Sequence, residues 1–486
     1  MDQMLFNSYE FIFLFLPVTF IGFFAFARFV GKKAATFWIV TASFFFYGWW
    51  DIRYLPLLFC SICFNYIIGL FIERYCRQCK LFLFIGVLGN LVLLGYFKYT
   101  GFFLQTINDV AGTNIFFVPA IVLPLGISFF TFTQTAYLVD VYRKETTPYS
   151  FLTYCQFVTI FPHLIAGPII NQRDMLPQFL KEKTFRINYN NVALGISIFS
   201  MGLFKKIFVA DQLAVWAEAV FANAENATFI EAWLGALSYT FQLYFDFSGY
   251  SEMAIGLGLM FNLQFPINFN SPYQSYSIID FWRRWHMTLG AWVRDYLYIP
   301  MGGNRFGEVR KMANLFLSML IIGLWHGAGW TFVLWGGIHG VLLMINHQWR
   351  RLHISLPSPV NWGLTFVSVI FCWVLFRAEN VDIAFSLIKS MVRIDQIVLP
   401  SNSILFSPLH FLQEYIAFAP LTYPFSVDKH LLLLLGLTVL VVKMPNPQML
   451  LQRFKPNFFW LAIILFMFIY SVLHLASYSE FLYFQF

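Results

Sequence analysis

Asp280-Phe-Trp-Arg-Arg-Trp-His286 opens, and Gly323-Leu-Trp-His326-Gly-Ala-Gly329 closes, the stretch around which this chain is organised. Each motif sets a histidine beside a tryptophan. In the first, Trp282, Trp285, His286, Leu289, Val293 and Tyr296 recur at mostly helical spacings, which predicts one face of a helix over 280–298. Arg283, Arg284, Arg294 and Asp295 fall off that stripe. The helix is therefore expected in the cytoplasmic interface, with its aromatic residues dipping inward. The second motif ends an apolar run, 312–325, where a polar side chain is costly, and a second apolar segment, 328–346, follows at once. Basic residues flank the pair on one side: Arg305, Arg310 and Lys311 before, Arg350 and Arg351 after. The chain enters a membrane, turns at His326-Gly327 and returns.

Composition agrees. Of 486 residues, 59% are hydrophobic and 11% charged, against about 25% charged in soluble proteins. Polar surface is too scarce to cover a water-exposed globule, so the class is an all-α polytopic membrane protein. The apolar runs never pause long enough for a boundary, and 1–486 is expected to form a single integral-membrane domain in contact with lipid. The net charge of +7 carries no nucleic-acid signal, because the basic residues sit in small clusters between apolar runs: Arg28, Lys32, Lys33; Arg74, Arg77, Lys80; Arg143, Lys144. That is the pattern of cytoplasmic loops. The N-terminus lacks a basic region before the first apolar run, so it is not a signal peptide and is expected to face outward. Cys60-x-x-Cys63 and Cys76-x-x-Cys79 resemble a zinc ribbon on paper, but the first pair lies inside an apolar run and suits packing better than metal. No metal is expected.

In chain order, spans are predicted at 9–29, 35–50, 54–72 and 81–97, then at 115–140, broken by Pro119, Pro124 and Gly126. Residues 151–170, closed by Gly167-Pro168, suit a re-entrant segment. Spans follow at 190–209, 228–248, 312–325, 328–346, 360–376, 430–443 and 457–474. At about 20 residues each the total is about 11–12 crossings. Asp246 and Glu252 lie in apolar surroundings and are expected to face the interior, a wet cavity or the membrane surface, since lipid exposure costs about 2.5 kcal/mol or more each. Pro300-Met-Gly-Gly-Asn304 forms a cytoplasmic turn.

His326 is the strongest chemical candidate. Gly323, Gly327 and Gly329 around it let a ligand or another backbone come close, and an unprotonated imidazole in a low-dielectric site is a competent general base. His286 would bind or orient a donor, or polarise its carbonyl. His339 is better explained as a packing residue. Asp246, Ser248, Glu252, Asp280, Arg283, Arg284, Trp285, Asn304 and Trp325 are the remaining candidates for a donor site or tunnel lining. No Gly-x-Ser-x-Gly, His-Glu-x-x-His or Walker loop occurs. The chain offers a base and must borrow its covalent donor.

Six stretches together resemble the membrane-bound O-acyltransferase (MBOAT) family, in its bacterial alginate and peptidoglycan O-acetyltransferase branch. They are Leu123-Pro-Leu-Gly-Ile-Ser-Phe-Phe-Thr-Phe132, Phe161-Pro-His-Leu-Ile-Ala-Gly-Pro168, Phe245-Asp-Phe-Ser-Gly-Tyr250, Asp280–His286, Tyr298-Ile-Pro-Met-Gly-Gly-Asn304 and Gly323-Leu-Trp-His-Gly327. They run in the family's order over most of the chain. One departure is His163, where much of this branch carries glutamine. The resemblance implies a ring of tilted helices, with re-entrant and interfacial helices, around a central tunnel. It implies His286 and His326 as the family histidines, with His326 essential. It implies acetyl-CoA as donor substrate with no tightly bound cofactor, a periplasmic SGNH-type partner, a polysaccharide acceptor, and residence in the bacterial inner membrane.

The chain's end, Phe481-Leu-Tyr-Phe-Gln-Phe486, is aromatic. It suits an interfacial anchor; alternatively Tyr483 takes the acetyl group and relays it to the partner, as a C-terminal aromatic peptide does in a related D-alanyl transfer system of the family. The competing class is a polytopic transporter or channel for an acetylated or lipid-linked saccharide. The absence of an internal repeat weighs against it.

Overall fold

The computed structural model describes residues 4–75, 77–420, 426–443, 445–446, 457–475 and 482. They are predominantly helical. The first part comprises α1 (Glu10–Phe29), α2 (Lys32–Trp50), α3 (Ile52–Arg74) and α4 (Cys79–Ala111). The middle holds α5 (Ile127–Tyr142), α6 (Phe151–Thr159), α7 (Gln172–Leu180), α8 (Tyr189–Ala222) and α9 (Phe229–Met260). Two short helices follow, α10 (Ile278–Arg284) and α11 (Met287–Val293). Then come the hairpin α12 (Gly307–His326) and α13 (Trp330–Arg351), and α14 (Ser358–Arg377), α15 (Val381–Val392), α16 (Val427–Lys443) and α17 (Phe458–Leu473). A pair of three-residue parallel strands, Val398–Pro400 and Ala417–Ala419, is the departure from an all-helical chain.

Among the described residues, five helices are long and apolar enough to cross a membrane: α1, α3, α4, α8 and α14. Apolar side chains point outward along them, among them Leu14 and Ile21 on α1, Phe84, Leu91 and Val92 on α4, and Leu364 on α14. Such a surface associates in water and is the solvated face in hydrocarbon. The expected class, a polytopic helical membrane protein, is the observed one.

Helices meet closely where glycines repeat. A Cβ on Gly195 of α8 would lie 2.6 Å from the carbonyl oxygen of Gly256 on α9, and one on Gly202 would lie 2.5 Å from that of Gly249. Two glycines per helix, one heptad apart, thus bring α8 and α9 to backbone contact, the usual device for helix association in lipid. α9 begins with a capping box, in which Thr228 accepts from the Glu231 amide while the Glu231 carboxylate accepts from the Thr228 amide. It is buried along nearly its whole length. In the α12–α13 hairpin, Gly323 and Gly336 do the same work: a Cβ on Gly323 would meet the Phe332 carbonyl at 2.3 Å.

Two predicted elements are corrected. Residues 115–125 are not helical. Pro119 and Pro124 lack amide donors, Gly126 adopts φ +69°, and helix starts only at Ile127. The predicted interfacial helix over 280–298 breaks at Trp285-His286, where His286 takes φ +43°. Asn270 N–H donates to Arg284 O and Met287 N–H donates to Asn268 O, both at 2.9 Å. An extended segment, 268–270, therefore takes the hydrogen bonds that a continuous helix would need. The break turns His286 inward, where it is buried rather than interfacial. The 151–170 stretch is α6 plus one helical turn, Phe161–Leu164, and it is buried almost throughout, as a re-entrant segment would be.

Candidate active site

His326 is the last residue of α12 and is 5% exposed. Three rings wall its imidazole: Trp325 at 5.0 Å between centroids, Trp335 at 5.2 Å edge-on and Phe376 at 5.2 Å edge-on. Trp335 and Phe376 come from α13 and α14, so three helices converge on this residue. The glycines around it serve backbone approach. Gly323 admits the Phe332 carbonyl, and Gly327 faces the Phe332 ring, which a Cβ would meet at 2.1 Å.

The helix end carrying His326 is held from α4. Lys98 Nζ donates to Trp325 O at 2.5 Å and to His326 O at 3.1 Å, and Tyr99 Oη donates to Leu324 O at 2.9 Å. The terminal carbonyls of a helix have no partner within the helix, and here three successive ones find theirs in two adjacent side chains. Gly95–Tyr99 is a π-helical turn within α4. Neither residue was among the sequence candidates. The signal was an ionisable side chain inside an apolar run, which is a functional hint by default.

His286 is 1% exposed. Its Nδ1 lies 2.9 Å from Asn268 Oδ1. The Thr288 hydroxyl reaches the same oxygen at 2.9 Å, the Thr288 amide points to it at 3.4 Å, and Asn268 Nδ2 donates to Ser251 Oγ at 3.1 Å. An amide N–H can only donate, so this atom of Asn268 is the oxygen, and His286 Nδ1 carries the hydrogen. In the neutral ring the lone pair then belongs to Nε2. Asn268 also stabilises the left-handed backbone at His286, a conformation that costs about 1–3 kcal/mol without support. The two histidines share one neighbour, since the Trp325 ring lies 6.3 Å from that of His286 and 5.0 Å from that of His326. Trp325 in turn stacks on Phe132 of α5 at 5.1 Å.

The carboxylates on α9 are paired, not lipid-facing. Lys206 Nζ bridges Asp246 at 2.6 Å and Asp211 at 2.8 Å, and Lys205 meets Glu252 at 2.6 Å. All three acids are buried. Asp246 Oδ2 also accepts from the backbone N–H of Leu482 at 3.0 Å, which brings Leu482 into this cluster. Tyr483 lies outside the described residues. Ser248 is buried on the same helix.

The remaining candidates divide. Trp285 is buried in an aromatic cluster with Phe281, Trp373 and Phe269. Asp280 pairs with Arg284 one helical turn on, at 3.0 Å. Arg283 and Asn304 are exposed, the latter in the 300–306 turn. His163 is buried and bonds Pro168 O at 3.0 Å, closing its own loop. His339 accepts from Trp282 Nε1 at 3.3 Å within a ring cluster, which suits the packing role expected of it.

The model of the MBOAT, membrane-bound O-acyltransferase family, matches residues 44–388, a span that includes both histidine motifs. A peptidoglycan O-acetyltransferase of Helicobacter pylori is 45% identical over 428 residues, 82% of this chain and 81% of the relative. A probable alginate O-acetylase of Pseudomonas aeruginosa is 45% identical over 399 residues, 80% of this chain and 75% of the relative. A teichoic acid D-alanyltransferase of Bacillus subtilis is 28% identical over 265 residues, 52% of this chain and 67% of the relative. The ordered motifs, the buried histidines they carry and the extent of these matches agree that the chain belongs to the membrane-bound O-acyltransferase family, close to its bacterial alginate and peptidoglycan O-acetyltransferases.

Proposed function

We infer that the protein moves an acetyl group from cytoplasmic acetyl-CoA across the bacterial inner membrane, as one membrane unit, for O-acetylation of a cell-envelope or extracellular polysaccharide. The observation that carries this reading is the burial of His326 among Trp325, Trp335 and Phe376 in a chain 45% identical to a peptidoglycan O-acetyltransferase. An imidazole in such surroundings is a general base with little competition from water. His326 takes the proton of an acceptor hydroxyl. The hydroxyl oxygen bonds to the thioester carbonyl carbon, the C–S bond breaks, and the CoA thiolate leaves with the pair and takes up a proton. His286, its Nδ1 occupied by Asn268, orients the donor through the other side of its ring. A periplasmic SGNH-type partner then delivers the acetyl group to the polysaccharide, because charged CoA cannot cross the membrane.

Tyr483 is the acceptor we favour for the first transfer. The support is that its neighbour Leu482 is buried and bonded to Asp246. The test is transfer from radiolabelled acetyl-CoA in purified membranes, wild type against His326→Ala at equal folded levels. Loss of label capture in the variant supports the base. Normal transfer by the variant overturns it, and acetyl-CoA left untouched by the wild type even with the partner present returns the transporter reading.

A further inference from the structure

Lys98 and Tyr99 are absent from the chemistry above, yet both bond the backbone at the helix end that carries His326. Their turn is π-helical, a widened turn found frequently at functional sites. From it Lys98 and Tyr99 reach across to α12, where they donate to the carbonyls of Leu324, Trp325 and His326. Beyond His326 the chain leaves the helix at once, with Gly327 in extended conformation. The last turn of α12 is therefore fixed from outside the helix, and the fixed residues include the one that carries the imidazole. The ammonium also lies 5.9 Å from the Trp325 ring centre, within cation–π range of the side chain that neighbours both histidines. A lysine in an apolar bundle that served only as a helix cap would be a costly choice where a serine or asparagine would do.

We propose that Lys98, assisted by Tyr99, is a positioning residue for acyl transfer: it clamps the terminal turn of α12 and so sets where the His326 imidazole points. The proposal rests on the reading of His326 as the base. Lys98 touches no reacting atom. Its effect is geometric and belongs to the chemical step, since a displacement of about 1 Å at a catalytic group costs as much as about 100-fold.

The experiment compares Lys98→Met, Lys98→Arg, Tyr99→Phe and His326→Ala, purified in detergent, for acetyl transfer kinetics and for melting midpoint. Lys98→Met should lower kcat about 10- to 100-fold while KM for acetyl-CoA and the midpoint stay near wild type. Lys98→Arg, which keeps charge and several donors, should recover part of the loss, and Tyr99→Phe should show a smaller one. Wild-type kcat in both Lys98→Met and Tyr99→Phe overturns the proposal. So does a kcat loss that merely follows a lowered midpoint, or one that appears in KM alone. If Lys98→Met does not fold, Lys98→Arg and Tyr99→Phe decide by the same criteria. A fully active His326→Ala removes the base assignment itself, a failure distinct from any outcome at Lys98.

Discussion

The backbone amide of Leu482 donates to Asp246 Oδ2 at 3.0 Å, while the other oxygen of that carboxylate meets Lys206 at 2.6 Å. One side chain in the middle of α9 thus serves two tasks, balancing a buried ammonium and holding the Leu482 amide. Asp246→Ala would remove one of the carboxylates that Lys206 bridges and the acceptor of the Leu482 amide. Removing one member of a buried ion pair costs about 3–5 kcal/mol. The variant should melt lower in the same detergent. A midpoint equal to wild type would show that Asp246 is not needed to balance Lys206.

Asn268 supplies one oxygen to His286 Nδ1 and to the hydroxyl of Thr288. Asn268→Leu removes that acceptor at similar volume and orphans both donors, each at about 1–3 kcal/mol. It also frees His286 to choose its tautomer. Acetyl transfer should fall about tenfold or more, since each 1.4 kcal/mol is a factor of ten. Asn268→Asp keeps the acceptor and should retain more activity than the leucine variant. Equal rates for the two would separate His286 orientation from Asn268.

The α12–α13 hairpin offers an internal control for packing. A Cβ on Gly323 would stand 2.3 Å from the Phe332 carbonyl oxygen, whereas one on Gly337 meets only Leu320 Cδ2 at 3.5 Å. Gly323→Ala should destabilise by about 1–3 kcal/mol or more and displace the helix end that carries His326. Gly337→Ala should be neutral or slightly stabilising, because alanine is favoured over glycine in a helix by about 1 kcal/mol. Melting curves of the two variants in the same detergent check the contrast.

The class of the molecule was legible because membrane helices advertise themselves by apolar length, and the turn at His326-Gly327 between two apolar helices follows from the same signal. What periodicity missed has one physical theme. The stripe over 280–298 carries no sign of the backbone hydrogen bonds of Asn268 and Asn270, which lie just upstream of it and turn His286 inward. Asp246 and Glu252 require partners in an apolar setting, and Lys205 and Lys206 on α8 supply them. They lie in the π-helical stretch Lys205–Ala210, as Lys98 lies in another, and a widened turn breaks the 3.6-residue rhythm by which faces are assigned. Asn304 has only its motif to mark it and stands exposed in a turn. Local pattern finds elements; it does not find the side chain that reaches across from another helix.

His339 provides the sharpest test of the division between chemistry and packing. Its Nδ1 accepts from Trp282 Nε1, and its ring lies 4.9 Å from Trp335, the same tryptophan that faces His326 edge-on. His339→Ala leaves a cavity among these rings and an orphan indole N–H, together about 2–5 kcal/mol. The melting midpoint should fall by several degrees, and transfer activity should fall only as the folded fraction does. His326→Ala should do the reverse, keeping the midpoint near wild type and losing transfer. If His339→Ala abolishes transfer at full folded level, then His339 takes part in the chemistry and the base must be sought among three histidines instead of two.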